Sequence, residues 1–179
     1  MTLPITKYGN PVLREKGKPI ESITPEIKEL ISNMLETMYQ ARGVGLAGHQ
    51  VGVALRLCVI DVPSEIEKET SREENSKIKM PLVMMNPKIT AREGSQRNEE
   101  GCLSFPNIGA QVTRANRVTA TFMNRKGEMQ TITASGLLAR AIQHELDHLD
   151  GILFVDKFST LQKMACSGQL KRLQKANSK

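Results

Sequence analysis

Aromatic residues make up 3% of this 179-residue chain, tryptophan is absent, and no apolar run approaches the roughly 18 residues of a membrane-spanning helix. Modules that stack bases on aromatic platforms would have little to work with, so sequence-specific nucleic-acid recognition is not expected. A membrane partner is not expected either. Cysteine is scarce: Cys58, Cys102 and Cys166 are odd in number and scattered, which argues against a disulfide framework and turns attention to individual thiols. The opening residues, M-T-L-P-I-T-K-Y-G-N-P, have neither the apolar core of a signal peptide nor the Arg/Ser-rich, acid-poor make-up of a transit peptide. A bacterial cytoplasm is therefore the expected compartment. Acids are missing after Asp156, and Lys157, Lys163, Lys171, Arg172, Lys175 and Lys179 carry the whole net charge of +6.

What is present, 39% hydrophobic and 25% charged residues, is the make-up of a soluble globular protein, and the length suits one domain over residues 1–179. Thr24 and Pro25 open a helix whose stripe of Ile27, Leu30, Ile31, Met34, Leu35 and Met38 is read as core packing, ending before Gly43. Residues 55–62 and 82–85 read as strands, with an exposed, charge-rich loop at 63–80 between them. Residues 117–123 and 129–133 alternate around N-R-K-G as a hairpin. A second helix is predicted over 136–149, capped by Ser135 and ended by Gly151. A basic amphipathic tail, about 160–179, places Leu161, Met164, Leu170 and Leu173 at helical spacing, with Cys166 expected on a mobile segment. The fold class is α+β: mainly antiparallel sheets packed around a central helix, with an N-terminal helix and a C-terminal helix.

That central helix carries His144-Glu145-Leu146-Asp147-His148, an H-E-x-x-H motif. Residues four apart lie one turn above each other, so both imidazoles can grip one metal ion, while Glu145 stands beside them able to exchange a proton with a water. The bland alternative is a pair of hydrogen-bonded core histidines flanked by surface acids. A catalytic site needs a third ligand. His49, in the glycine-rich stretch 43–52, and Cys102, between Gly101 and Pro106, are both open on spacing alone, with Cys102 ahead. Cys58, inside an apolar strand, reads as a structural thiol.

Three segments, in order, resemble the peptide deformylase family: G-V-G-L-A-G-H-Q at 43–50, E-G-C-L-S at 100–104 and Q-H-E-L-D-H at 143–148. The likeness extends to Y-G-N-P-V-L at 8–13 and covers roughly residues 5–158. It implies a hydrolase that removes the formyl group from formylmethionine of nascent polypeptides and releases formate. It implies Cys102, His144 and His148 as ligands of one divalent ion, Fe(II) in the cell with zinc or nickel able to replace it. Glu145 is then the general acid/base, and the Gln50 side chain and the Leu103 N–H stabilise the oxyanion. Backbone at Gly43, Val44 and Gly45, and near Leu103, would pair with the peptide, while Val44, Leu137 and Ala141 would line a pocket for the methionine side chain.

The first segment departs from the family's usual Ala-Pro pair, carrying Gly48 and His49 instead. A looser seat for Gln50 is expected, with His49 adding a hydrogen bond or a titrating charge near the site. Gly109, where many relatives carry a larger side chain, would open the substrate rim. Two rival readings remain: an H-E-x-x-H peptidase cleaving peptide bonds, and a catalytically silent ribosome- or RNA-binding protein. The basic tail is either a ribosome-docking element or a solvated helix.

Overall fold

Thr24 accepts a hydrogen bond from Ile27 N at 3.3 Å and Pro25 fits the first turn, so the helix starts where the sequence places it. The computed structural model describes residues 1–178, and Lys179 of the basic tail lies outside them. In chain order the elements are α1 (Pro25–Gln40), β1 (Gly45–Ala47), β2 (Leu57–Ile60), α2 (Glu69–Glu74), β3 (Leu82–Glu93), β4 (Gln96–Cys102), β5 (Phe105–Arg114), β6 (Arg117–Met123), β7 (Met129–Ser135), α3 (Gly136–Leu149) and α4 (Thr160–Asn177). β1, β2, β3, β6 and β7 form one antiparallel sheet in the order β1-β2-β3-β6-β7, and β4 pairs with β5 in a separate hairpin.

Alternation along β2 explains the layers. Cys58 and Ile60 face a core shared with Leu138, Ala139, Ile142 and Leu149 of α3, while Leu57 and Val59 face a second core shared with Ile31, Met34 and Met38 of α1. The sheet is thus covered by α1 on one face and α3 on the other, and the β4–β5 hairpin closes the far side of α3 through ion pairs described below. This is the α+β arrangement read from the sequence.

Residues 63–80, read as an exposed loop, contain α2 and a structural task. Ser135 sits at the N-cap of α3 but its hydroxyl caps nothing; the Glu67 carboxylate accepts from Leu137 N at 3.0 Å and Leu138 N at 2.7 Å instead. Such caps typically contribute about 0.5–2 kcal/mol. Gly136, at φ +63°, has no room for a Cβ against Ser71 of α2, so a side chain there would push the cap away. The segment that looks like a solvated insertion is what fixes the start of the motif helix.

The tail also differs. Cys166 is buried with Phe154, Phe158 and Leu153, and Leu170 and Leu173 pack beside it, so α4 is docked and Cys166 is not on a mobile segment. Leu161 and Met164, counted from the sequence as part of the apolar face, are 78% and 66% exposed. The docking face is set by the 166, 170, 173 spacing, and the Gln174 backbone lies directly on Gly9 (φ +110°), where any Cβ would collide.

At its C-terminal end α1 closes with Arg42 N bonded to Tyr39 O and Gly43 N to Met38 O at 2.9 Å. Arg42 takes φ +56°, the left-handed position after a helix that glycine usually fills; a branched or long side chain there costs roughly 1 kcal/mol.

Candidate metal centre and its cleft

Cys102 is the last residue of β4, at a register shift, and only Leu103 and Ser104 separate it from Phe105 of β5. The tight turn presses its thiol against α3. There Cys102 Sγ lies 3.4 Å from His148 Nε2, and the ligand atoms of Cys102, His144 and His148 all fall within 4.8 Å of one another. No other group of this kind occurs among the described residues. One thiol and two imidazoles at this spacing are a donor set for a single divalent ion held by bonds of about 2.0–2.3 Å. His49 is not among them.

The orientation of His144 has a visible cause. Its Nδ1–H donates to Glu100 Oε1 at 2.5 Å, which leaves Nε2 turned toward Cys102 and His148. Glu100 itself is buried and held by Arg114 Nη2 at 2.6 Å and Arg140 Nη1 at 2.6 Å, while Arg114 also pairs with Asp147. Burial pushes the Glu100 carboxyl up, but hydrogen bonds from His144 and Arg114 hold it far below the usual carboxylate range. Burial and the nearby His144 push the His148 imidazole below its ordinary pKa, toward the form in which a ring nitrogen can bind a metal, whereas at His144 burial is outweighed by hydrogen bonds with Cys102 and Glu100, which push it up.

Sequence reasoning gave Glu100, Arg114, Arg140 and Asp147 no part in the site. One signal was available: Glu100 precedes Cys102 by two residues and Arg140 precedes His144 by four, spacings that share a strand face and a helix face respectively.

Glu145 lies beside the three donors, fully buried, with Oε2 lacking a hydrogen-bond partner among the described residues. Burial raises its carboxyl to about 7, a value suited to taking up and returning a proton near neutral pH. Gly45 makes room for it, since a Cβ there would run into Oε1.

Gln50 is anchored at both ends of its amide. Oε1 accepts from Ala47 N at 2.9 Å, and Nε2 points to Ser104 Oγ at 3.3 Å and Cys102 Sγ at 3.5 Å. The looseness expected from Gly48 is not what the structure contains: a Cβ at Gly48 would sit 2.7 Å from Val53 O, so glycine is the residue this turn accommodates. His49 is fully buried and donates Nε2–H to Glu15 O at 3.0 Å, and burial lowers its pKa. It packs on the 14–17 segment, where a Cβ at Gly17 would meet its ring.

These groups open into one cleft of about 680 Å³. One wall is Arg42–Gly45, the other is the β4–β5 hairpin with Glu99, Leu103 and Gly109, and the floor is Leu137, Ala141, His144 and Glu145 of α3. All the residues singled out in the sequence as substrate-binding, Gly43, Val44, Gly45, Leu137 and Ala141, line it together with Gln50, Cys102 and Leu103. Val44, Leu137 and Ala141 also touch the core under the sheet, so pocket and packing roles coincide.

The comparisons with known proteins agree with this geometry. The family model for polypeptide deformylase matches residues 2–164. A peptide deformylase of Desulfitobacterium hafniense is 50% identical over 153 residues, 86% of this chain and 92% of that protein. One of Nitrosococcus oceani is 43% identical over 176 residues, 98% of each. Among solved structures, the peptide deformylase of Thermus thermophilus is 39% identical with a TM-score of 0.84, covering 98% of this chain and 99% of its own.

Proposed function

Because the chain belongs to the polypeptide deformylase family, metal-dependent enzymes that remove N-terminal formyl groups, we propose that its cleft deformylates formylmethionine at the start of nascent polypeptides with Cys102, His144 and His148 as the metal ligands. The observation that carries this is the buried Glu145 carboxyl standing beside the only Cys/His donor group among the described residues, at the floor of a cleft. A divalent ion in that site supplies Lewis acidity, lowering the pKa of a water and polarising the formyl carbonyl. One thiolate and two imidazoles suit iron(II) or zinc; we assign iron(II) to the cell, with zinc or nickel replacing it in purified protein.

The chain's own groups do the rest. Glu145 accepts the proton of the attacking water and returns it to the departing α-amine, so that the C–N bond breaks, formate leaves and a free N-terminus remains. The Gln50 Nε2–H and the Leu103 backbone N–H meet the charge growing on the formyl oxygen, and donors fixed in advance typically contribute about 3–4 kcal/mol each. Val44, Leu137 and Ala141 receive the methionine side chain. β1 lies at the edge of its sheet, and the backbone of Gly43, Val44 and Gly45 can take the peptide as an added strand, a mode that accepts many sequences.

Anaerobically purified protein loaded with iron(II) is expected to release formate from formyl-Met-Ala-Ser. A protein holding one metal per chain that releases none would overturn this assignment.

The whole chain is taken as one catalytic domain, residues 1–179, working in a bacterial cytoplasm: the relatives named above are bacterial, and no described helix is long and apolar enough to cross a membrane. The outer face of α4 presents Lys163, Lys171, Arg172 and Lys175 with the exposed Leu161 and Met164, a surface suited to docking on the ribosome. Deleting α4 would strip the core around Phe154 and Phe158, so charge reversal is the better probe. Lys163→Glu with Lys171→Glu and Arg172→Glu is expected to abolish ribosome co-sedimentation at low salt while leaving the melting temperature within a few degrees. Unchanged co-sedimentation would remove the docking role.

A further inference from the structure

We infer that Arg42 reads the charge of the residues that follow formylmethionine, favouring acidic side chains and disfavouring basic ones. The inference rests on the deformylase reading of the cleft and adds a substrate preference to it.

Two independent features of Arg42 lead there. It occupies a left-handed backbone position, φ +56°, where glycine would be less strained. Yet its guanidinium is exposed and makes no hydrogen bond or ion pair among the described residues. The backbone of Arg42 closes α1, a task glycine would do with less strain, so the fold has no use for its side chain, and strain of this kind gathers where a ligand is met. Arg42 lines the same cleft as Cys102, His144 and Glu145.

The direction of the peptide follows from the wall that Arg42 begins. Gly45 lies against Glu145, so the reacting end of the substrate is at Gly45, and the chain from Val44 through Gly43 to Arg42 leads away from it. A peptide added to this edge with its formyl group at Glu145 runs antiparallel to β1. Arg42 is three residues before Gly45, at most about 10 Å out even were the segment fully extended, which puts its side chain within reach of the second and third substrate residues. The facing wall carries Glu99, whose carboxylate lies close over Gly109: a Cβ built there would be 3.3 Å from Oε1. The mouth therefore holds a free cation on the wall that the peptide pairs with and an anion across from it.

Two amidated peptides, formyl-Met-Ala-Asp-Ala and formyl-Met-Ala-Lys-Ala, test this by the ratio of their kcat/KM values. The wild-type ratio is expected to be about five-fold in favour of aspartate at low salt, the size that an exposed charge pair provides, and to shrink toward one in 0.5 M NaCl. Arg42→Gly is expected to bring the ratio to one or below, Arg42→Lys to keep most of it, and Glu99→Gln to raise it. Arg42→Gly should also raise the melting temperature by about 2–4 °C as the left-handed strain is relieved, so a lost preference cannot be put down to misfolding. A ratio that stays the same in Arg42→Gly, or a wild-type preference for lysine, overturns the assignment of Arg42 alone. Absence of formate from both peptides overturns the deformylase reading and this inference with it.

Discussion

Glu145→Gln is expected to lower kcat for formate release by about 10²–10⁴-fold while one metal ion per chain stays bound, because the residue lies beside the three donors without belonging to them. The amide keeps the side chain's size, so it still fits against Gly45, but it can no longer take a proton from water. The same substitution has a second signature in the metal-free protein. Burial lifts the Glu145 carboxyl from 4.5 to about 7, so the folded state holds a proton that the unfolded state has released anywhere between those values. Stability contributed at this position is therefore lost as the pH rises through that window, and the glutamine variant should be free of the loss. Urea melts at pH 5 and pH 8 will show wild type weakening relative to the variant at the higher pH. Retained turnover, or loss of the metal, would remove Glu145 from its assigned role.

Glu100→Gln is expected to weaken metal binding by about 10–100-fold and to destabilise the fold by about 3–5 kcal/mol. The carboxylate answers three partners at once, His144, Arg114 and Arg140, and its removal leaves two buried guanidinium groups short of a counter-charge. Its pKa is depressed in the folded state, so its stabilisation is present above the ordinary carboxylate range and is lost as the pH falls through that range toward the folded value. Wild type and variant should differ most at neutral pH and converge in acid. Chelator competition and urea unfolding measure the two effects separately; an unchanged metal affinity would mean that His144 needs no help in facing the site.

The parts of this molecule that were legible in the sequence are those specified locally. α1 announces itself through Thr24, Pro25 and an apolar stripe, and α3 through its motif and flanking glycines, so both were placed within a residue or two of where they lie. β4 was not legible because the one residue it buries is charged: in Q-R-N-E-E-G-C that is Glu100, whose arginine partners are fourteen and forty residues away, while Phe105, Ile108 and Val112 of β5 join the core around Phe154. A buried carboxylate and two buried arginines look in sequence like ordinary surface. α2 was hidden for a related reason, since a six-residue polar helix has no periodicity, and Glu67 and Asn75 acquire meaning only when Ser135–Leu138 are brought to them. Helix spacing pointed to His144, Glu145 and His148 and favoured Cys102 as their partner, and motif resemblance added Gln50; Gln50, Cys102, His144 and Glu145 line one cleft, with His148 Nε2 3.4 Å from Cys102 Sγ. Gly48 and His49 look in sequence like a disturbance beside Gln50; in the structure the glycine fits the turn at Val53 and His49 bonds Glu15.

The position of β1 has a consequence for when the enzyme can act. An open sheet edge would ordinarily invite any neighbouring strand, and proteins blunt such edges by shortening or covering them. Here the edge is three buried residues long, and its first residue, Gly45, lines a cleft whose other wall is the β4–β5 hairpin, so it is an extended backbone entering that cleft that meets it. A start methionine already packed into a finished domain cannot be drawn out to that depth, whereas a chain leaving the ribosome at about 5–20 residues per second presents its end bare for a few seconds. The recess thus works as a clock: it admits substrates by their age, before folding withdraws the end to be cut.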